Sequence, residues 1–305
     1  MSDVFAFGPA PQRIPVTTEL VRGLVAEQFP QWSDHPVRPV DHGGWDNWTF
    51  HLGDDLSVRL PTAAEYALAV EKEHEWLPRL APQLPFPVSV PVALGRPSTD
   101  YPFDWSIRRW IEGTPASTAG IADLDRLATD LSGFLAALQR IDPSSGPGPG
   151  VHNWFRGGSL RTFEPFTTRA LATLQHRVDV DLAWAIWSEA VDAPWDGAVR
   201  WFHGDLAAGN LLLRDGRLAA VIDFGTCGVG DPACDLAVAW TLLDTTSRRR
   251  FRDLLHVDDA SWARGRGWAL WKALSTVANT PDPDEPAAVA ARRAVDDVLV
   301  ESTVH

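Results

Sequence analysis

The sequence is poor in cysteine and in lysine. Its 305 residues include only two cysteines, Cys227 and Cys234. Two cysteines alone build neither a disulfide framework nor a four-ligand zinc site, and such sparse use is typical of a reducing compartment. Of the 27 basic residues, only Lys72 and Lys272 are lysines, so arginine carries almost all of the positive charge. Where a site calls for a cation, arginine is therefore the residue to expect.

The sequence also lacks long apolar runs and a net positive charge. No apolar run approaches the roughly 18 residues that indicate a membrane span. The first residues, MSDVFAFGPAPQR, have no basic segment followed by an apolar core, so no signal peptide is predicted. The net charge of −13 argues against a nucleic-acid-binding protein, which usually presents a basic patch. We therefore expect a cytoplasmic protein with neither nucleic acid nor membrane as a partner.

What is present is the composition of a globular protein. Hydrophobic residues make up 45% of the chain and charged residues 22%, and the length is sufficient for two core-forming units. The 15 tryptophans are unusually many. Most are expected in the core, and some are expected to line a cleft, because the indole N–H needs a polar partner.

Hydrophobic patterning divides the chain into a β-rich first third and a helical remainder. Alternating residues predict a hairpin over 48–52 and 56–60, and further strands in VALG and FDWSIRRWI. A second hairpin is predicted over 211–224. Helical periodicity predicts helices over 16–29, 62–80 (ended by Pro78 and Pro82) and 117–141, one or two helices over 160–190, and a helical tail over 235–300. We predict an α+β fold of two lobes, residues 1–112 and 113–305.

The segment HGDLAAGN, residues 203–210, holds the polar residues that suggest chemistry. Asp205 and Asn210 lie five residues apart, and Asp223 follows the apolar pair Val221-Ile222. One interpretation is structural, with Asp205 and Asn210 capping turns and Asp223 as a buried, hydrogen-bonded carboxylate. The other is phosphoryl transfer, which needs a group that accepts the hydroxyl proton and oxygen ligands for Mg²⁺.

HGDLAAGN, followed by IDFG thirteen residues past the Asn, resembles the catalytic and metal-binding segments of the aminoglycoside phosphotransferase family. The resemblance extends over roughly residues 35–275, and macrolide phosphotransferases are relatives. It implies a two-lobe, protein-kinase-like fold that transfers the γ-phosphoryl group of ATP or GTP to a hydroxyl of a small molecule. An aminoglycoside is the leading prediction for that molecule.

The resemblance also implies a role for each matched residue. Asp205 is the base, and Asn210 and Asp223 bind Mg²⁺. His203 orients the loop, and a structural role is favoured over one as a proton shuttle. Asp235, in GDPACDL, is expected to brace the catalytic loop rather than to bind metal.

The first lobe is expected to bind the nucleotide. Kinase-like sites pair a cation on the third strand with a helix glutamate. Here LSVRLP places Arg59 at that position instead of lysine, as the related macrolide phosphotransferases also do. Its expected partner on the following helix is Glu73, chosen over Glu71. The alternative is that each of these residues is an ordinary solvated charge.

The glycine-rich turn 42–47 occupies the position of a phosphate-covering loop. Gly43 and Gly44 permit close approach of the backbone to a phosphate, although a plain hairpin turn is nearly as consistent with the sequence. Asp46 would repel a triphosphate, so we expect it to hold the turn.

Five further residues are assigned to the nucleotide by their position alone. The segment between the lobes is expected to meet the base edge, and two apolar residues are expected to lie beneath the base. These residues are Arg109, Trp110 and Ile111, and Leu212 and Ile222, respectively.

The sequence is least informative about the acceptor. An aminoglycoside pocket would need converging carboxylates, and the available ones are Asp258, Asp259, Glu164 and Glu189. The loop that ends in Arg156, and the tryptophans of WARGRGWALWKAL, are candidates for the pocket border. Other predictions are a macrolide kinase, a kinase for an amino alcohol or sugar, and a non-catalytic kinase-like protein that only binds a ligand.

Overall fold

The computed structural model describes residues 11–41 and 44–301 of the protein. The strands are β1 Val37–Pro39, β2 Asn47–Leu52, β3 Leu56–Pro61, β4 Pro91–Gly95, β5 Trp105–Arg109, β6 Thr114–Pro115, β7 Arg200–Phe202, β8 Leu211–Arg214, β9 Arg217–Val221 and β10 Gly228–Gly230. The helices are α1 Thr18–Gln28, α2 Ala64–Leu80, α3 Leu124–Arg140, α4 Glu164–Leu174, α5 Val180–Asp192, α6 Val238–Thr241, α7 Thr245–Leu255, α8 Asp259–Asn279 and α9 Pro286–Val300. Short 3₁₀ turns connect several of these elements.

The N-terminal region is a five-stranded antiparallel sheet in the order β1-β2-β3-β5-β4. The predicted hairpin is present as β2 and β3, whose register pairs Thr49 with Arg59. Alternation along the strands buries Val58, Leu60 and Ile107 in a core shared with α1. The opposite face of the sheet carries polar side chains toward α2 and the cleft.

Helix α2 ends at the predicted residue, Leu80. It begins at Ala64, two residues later than predicted, and runs through Pro78. A proline near the end of a helix removes only one main-chain hydrogen bond. Leu77 and Leu80 are both 1% exposed, and their burial offsets that loss.

Helix α3 begins later than the predicted residue 117. Asp123 caps it, with its carboxylate accepting a hydrogen bond from the main-chain N–H of Arg126 at 2.9 Å. The preceding residues are held elsewhere, because β6 pairs with β8 and the N–H of Ser117 donates to the carbonyl of Ala208. A cap residue and a competing strand pairing together set this boundary.

The C-terminal region is mainly helical and surrounds the short hairpin β8–β9. Helix α8 is its longest element, with 21 residues, and packs against α4, α5 and α9. The region 160–190, predicted as one or two helices, contains the two helices α4 and α5, and the predicted helical tail comprises α6 to α9. The α+β architecture predicted from the sequence is therefore present. Among the described residues, no helix combines the length and apolar character that a membrane crossing requires.

Candidate active site

The segment HGDLAAGN forms a loop between β7 and β8 that is held in place by hydrogen bonds to its main chain. The carboxylate of Asp235 accepts hydrogen bonds from the main-chain N–H groups of His203 at 2.8 Å and Gly204 at 2.7 Å. The His203 ring is fully buried and lies 3.0 Å from the carbonyl of Ile222. Gly204 has φ +86°, and a Cβ there would lie 2.7 Å from the carbonyl oxygen of Thr226. These contacts fix the direction in which the next residue, Asp205, points.

Asp205 and Asn210 are joined within this loop. The Asn210 side-chain amide donates to the Asp205 main-chain oxygen at 2.9 Å and to its carboxylate at 3.1 Å. The N–H of Ile222 in turn donates to the Asn210 carbonyl at 2.9 Å. That bond brings the end of β9, and with it Asp223, to the same place.

Asp223 completes the group. It has φ +65°, and its Oδ1 accepts a hydrogen bond from the Arg59 guanidinium at 2.9 Å. Burial would raise the pKa of Asp223, but the nearby charge of Arg59 outweighs it, so the pKa is lowered. Oδ2 of Asp223 and Oδ1 of Asn210 accept no hydrogen bond from any residue that the structure describes.

Those two oxygens suit a magnesium ion. Mg²⁺ takes one or two protein oxygen ligands and completes its shell with phosphate oxygens and water. Within residues 11–41 and 44–301, no group of three or more His, Cys, Asp or Glu side chains is arranged to hold a metal alone. The donor set therefore fits an ion that arrives with a phosphate, and not a closed structural metal site.

Glu73 lies at the centre of a buried ion network. It is 3% exposed, and its carboxylate accepts two hydrogen bonds from Arg108, at 2.8 and 3.1 Å. Arg59 lies 3.9 Å from Glu73, so the predicted pair is a longer contact than the one with Arg108. Glu71, the alternative, is exposed and pairs with Arg96 at 2.8 Å.

The sequence analysis missed Arg108. Its signal was the alternation in FDWSIRRWI, which places Ser106 and Arg108 on one face of β5 and Trp105 and Ile107 on the other. In the fold, the first pair faces α2, and Arg108 Nε donates to the Ser106 hydroxyl at 2.9 Å. An arginine that is 1% exposed needs a buried anion, and Glu73 is that anion.

A cavity of about 480 Å³ opens between the sheet and the catalytic loop. Such a volume lies within the range of small-ligand sites, about 300–1,000 Å³. Most of the predicted nucleotide and metal residues line it: Gly44, Arg59, Arg109, Trp110, Ile111, Asn210, Leu212, Ile222 and Asp223. Glu73 lies behind it, and Gly43 lies outside the described residues.

Asp46 lies at the inner end of this cavity and not only in the turn. Its carbonyl accepts a hydrogen bond from the N–H of Thr62 at 2.8 Å, as expected for a residue that holds the turn. Burial, followed by the negative charges of Asp223 and Asp205, raises the pKa of Asp46 to about 7. The negative charges of Asp223 and Asp205 thus act on Asp46, and a divalent cation bound nearby would relieve that repulsion.

Of the two cations beside Asp205, the sequence analysis placed the loop that ends in Arg156 at the pocket border but missed Lys272. Lys272, on α8, forms an ion pair with Oδ1 of Asp205, and the Nε of Arg156 donates to the Gly204 carbonyl at 3.0 Å. Burial would raise the pKa of Asp205, but Lys272 and then Arg156 outweigh it and lower the pKa to about 2. The available signal was the rarity of lysine, together with its position on a tryptophan-rich helix.

Two of the acceptor carboxylates considered from the sequence, Asp258 and Asp259, lie far from Asp205. Asp258 caps α8, accepting from the N–H of Ser261 at 2.7 Å, and Asp259 pairs with Arg252. Both precede Lys272 by 13 or 14 residues, about 20 Å at 1.5 Å per helical residue.

A family model described as "Phosphotransferase enzyme family" matches residues 37–268, about three quarters of the chain. The chain belongs to that family. No curated protein matches the sequence. Similar solved structures include the GDP complex of aminoglycoside 2'-phosphotransferase-IIIa, with 16% identity and a TM-score of 0.68 over 94% of this chain and 100% of that chain.

Two further structures are similar. One is a thermostable mutant of the aminoglycoside phosphotransferase APH(4)-Ia, in a ternary complex with AMP-PNP and hygromycin B: identity is 18% and the TM-score 0.60, over 93% of this chain and 99% of that chain. The other is the apoenzyme of macrolide 2'-phosphotransferase MphH from Brachybacterium faecium: identity is 20% and the TM-score 0.59, over 89% and 97%. At these identities the likeness shows a common fold, which is the kinase-like fold expected from the motifs.

Proposed function

We propose that this phosphotransferase moves the γ-phosphoryl group of ATP or GTP to a hydroxyl group of a small molecule. The observation that carries the proposal is that Asn210 and Asp223 line one cavity while the Asn210 side chain is hydrogen-bonded to Asp205. Asp223 accepts its hydrogen bond from Arg59, and one oxygen each of Asn210 and Asp223 remains available for a cation.

The roles follow from the geometry. Asp205 would accept the proton of the acceptor hydroxyl, because its carboxylate is held by Asn210 and is about a third exposed. His203 and Asp235 would keep the loop in that arrangement. Phosphoryl transfer depends chiefly on such positioning and on charge stabilisation.

Asn210 and Asp223 would hold Mg²⁺. When bound, Mg²⁺ bridges phosphate oxygens and neutralises charge that develops on the transferred group. Arg59 would contact the phosphates from the sheet side, held in place by Asp223 and Glu73. An arginine can fill this role because its planar guanidinium binds phosphate oxygens in pairs.

The base of the nucleotide would occupy the outer part of the cavity. Leu212 and Ile222 provide apolar surface there, and the main chain of 109–111 lies along the edge. Gly44 lines the same cavity on the side of the glycine-rich turn. Among the described residues that line the cavity, none is assigned a contact specific for adenine or for guanine, so both ATP and GTP belong in the assay.

An aminoglycoside remains the leading acceptor on the family resemblance, with a macrolide or a metabolite alcohol as the alternatives. The structural relatives named above include one aminoglycoside phosphotransferase in complex with hygromycin B and one macrolide phosphotransferase. We place the reaction in the cytoplasm, in keeping with the sparse cysteines.

Replacing Asp205 with asparagine tests the proposal. We expect turnover to fall by about 10²–10⁴-fold, because general-base catalysis contributes about that much. Stabilisation of the protein by Mg·ADP in a thermal shift assay should be retained. The matched control is Asp192→Asn, which alters an exposed ion pair on α5.

The assay measures release of inorganic phosphate from Mg·ATP and Mg·GTP, with and without a panel of acceptors. Equal turnover in wild type and Asp205→Asn would refute the assigned base. Slow hydrolysis that is lost in Asp223→Ala would favour an enzyme. Nucleotide binding with no hydrolysis at all would favour the non-catalytic alternative.

A further inference from the structure

The side of Asp205 that faces the C-terminal helices carries two cations. Lys272 reaches Asp205 from α8, and Arg156 reaches the adjacent Gly204 from the loop before α4. The side chains of Asp205 and Lys272 are each about a third exposed (36% and 33%), so a ligand can approach both. The charges of this place are therefore two positive and one negative.

Arg156 has capacity that the protein does not use. Its guanidinium carbon lies 4.6 Å from the centre of the Trp271 ring and 5.6 Å from that of Phe163. Its Nη1 is buried and has no hydrogen-bond partner among the described residues. A buried donor without a partner is costly, and native structures usually retain one where a ligand or water satisfies it.

The excess of positive charge beside Asp205 contrasts with the net charge of the whole chain. The protein carries a net charge of −13, so a positive site does not follow from its average composition. The nucleotide side of Asp205 is separate, with Arg59 already bound to Asp223 and Arg108 to Glu73. Arg156 and Lys272 therefore remain for what lies on the acceptor side.

This arrangement does not suit a polyammonium acceptor. An aminoglycoside would bring several ammonium groups toward Arg156 and would compete with Lys272 for the Asp205 carboxylate. Asp258 and Asp259, two of the carboxylates considered for such an acceptor, lie about 20 Å along α8 from Lys272. Like charges at such a site lower affinity and select against that partner.

We propose that the acceptor carries an anionic group, a carboxylate or a phosphate, which Arg156 and Lys272 bind beside the hydroxyl that is phosphorylated. The inference rests on the proposed phosphotransfer and revises its leading acceptor. Lysine suits the inner position, since a point charge on a flexible stem can contact Asp205 and the ligand in turn. Trp271 packs on Arg156 and holds its guanidinium plane in place.

The rarity of lysine gives a direct binding assay. Protein labelled with ¹³C at the lysine ε carbon has two lysine signals, and Lys272→Met identifies the one from Lys272. Lys72 is the internal control, because it is 8% exposed and bonded to the main-chain oxygens of Gly225 and Cys227. A ligand at the proposed site should move the Lys272 signal and leave the Lys72 signal in place.

The probes are four sugars that differ at carbon 6: glucose, glucuronate, glucose 6-phosphate and 6-amino-6-deoxyglucose. Mg·ADP is present throughout, so that a sugar phosphate cannot occupy the nucleotide site. We expect glucuronate, glucose 6-phosphate or both to shift the Lys272 signal more than glucose does, and the amino sugar to shift it least. The two anionic arms distinguish a carboxylate from a phosphate.

Three results would overturn the proposal. The amino sugar could shift the Lys272 signal as much as the anionic sugars do. A second such result is that no anionic sugar shifts the Lys272 signal more than glucose does, up to the highest concentration that leaves the Lys72 signal in place. Finally, Mg·AMP-PNP alone could shift the signal while no sugar does, which would assign the cations to the transferred phosphoryl group.

Turnover provides the second readout. For the preferred anionic sugar, kcat/KM relative to glucose should fall about 10–100-fold in Lys272→Met and Arg156→Gln, as expected for loss of a charged hydrogen bond. Arg161→Gln, at an exposed position, should leave the ratio unchanged. Circular dichroism checks that Arg156→Gln is folded, and Lys272→Met, at a partly exposed position, tests the site independently.

The proposed phosphotransfer is assessed separately by hydrolysis of Mg·ATP and Mg·GTP without any sugar. Hydrolysis with no charge preference among the sugars refutes the acceptor inference alone. A charge preference in binding without hydrolysis refutes the phosphotransfer alone.

Discussion

Replacing Glu73 with glutamine removes the carboxylate that neutralises two arginines in the interior. The side chains of Glu73 and Arg108 are 4% and 2% exposed, and Arg59 is 13% exposed. Glutamine has nearly the same shape, but its NH₂ group would face the N–H donors of Arg108. The change leaves the packing intact and isolates the electrostatic contribution of the carboxylate.

The expected cost follows from this burial. Removing one partner of a buried ion pair destabilises a protein by about 3–5 kcal/mol, because the remaining charge is left without compensation. For a denaturant slope of about 3 kcal/mol per M in urea, the midpoint of unfolding should fall by roughly 1 M or more. The large burial fraction means that little of this cost is screened by water.

Glu71→Gln is the matched control. Glu71 lies on the same helix two residues earlier, and its ion pair with Arg96 is exposed, with side chains 66% and 60% accessible. Exposed pairs contribute about 0–1 kcal/mol, so the urea midpoint should change little. The two variants remove the same charge and differ only in burial.

Urea unfolding followed by tryptophan fluorescence measures both variants. An equal loss of stability in Glu73→Gln and Glu71→Gln would refute the argument from burial. So would a cost for Glu73→Gln within 1 kcal/mol of wild type at an unchanged slope, since the buried arginines would then have found another anion.

Three further predictions concern the framework of the site. Asp258→Ala should cost about 1 kcal/mol near neutral pH, since it removes the cap of α8. The cap's N–H bonds lower the pKa of Asp258, so the stabilisation is present above its usual value near 3.8 and is lost as the pH falls through the lower folded pKa; urea unfolding at pH 7 and in acid measures this. Burial raises the pKa of the Cys227 thiol to about 11, and Cys234 is also buried, so a thiol reagent should label neither in the native state and both in urea; labelling of the native protein would contradict the burial. Gly204→Ala should reduce both turnover and thermal stability, because its Cβ would lie 2.7 Å from a main-chain oxygen, whereas Gly133→Ala, in α3 with no atom within 4 Å, should stabilise by about 0.5–1 kcal/mol.

The parts of the fold predicted best are those whose signal is local. The alternation of β2 and β3 and the helical periodicity of α2 are properties of consecutive residues, and both elements are present. The prediction was wrong where two tendencies compete. Helix α3 did not begin at residue 117, because that segment pairs with β8 and bonds to the catalytic loop.

The candidate site divides in the same way. The sequence by itself indicated Asp205, Asn210 and Asp223 as the candidate site. These residues belong to one short loop and to the end of the nearby strand β9, so their spacing along the chain is a local signal. The fold decided the partners, since Lys272 lies 67 residues from Asp205, and Arg108 lies 35 residues from Glu73. Such contacts join separate elements through side chains, and no local spacing encodes them. The motif therefore indicates the proposed reaction, whereas the positive charge beside Asp205 was set by how α8 packs against the catalytic loop.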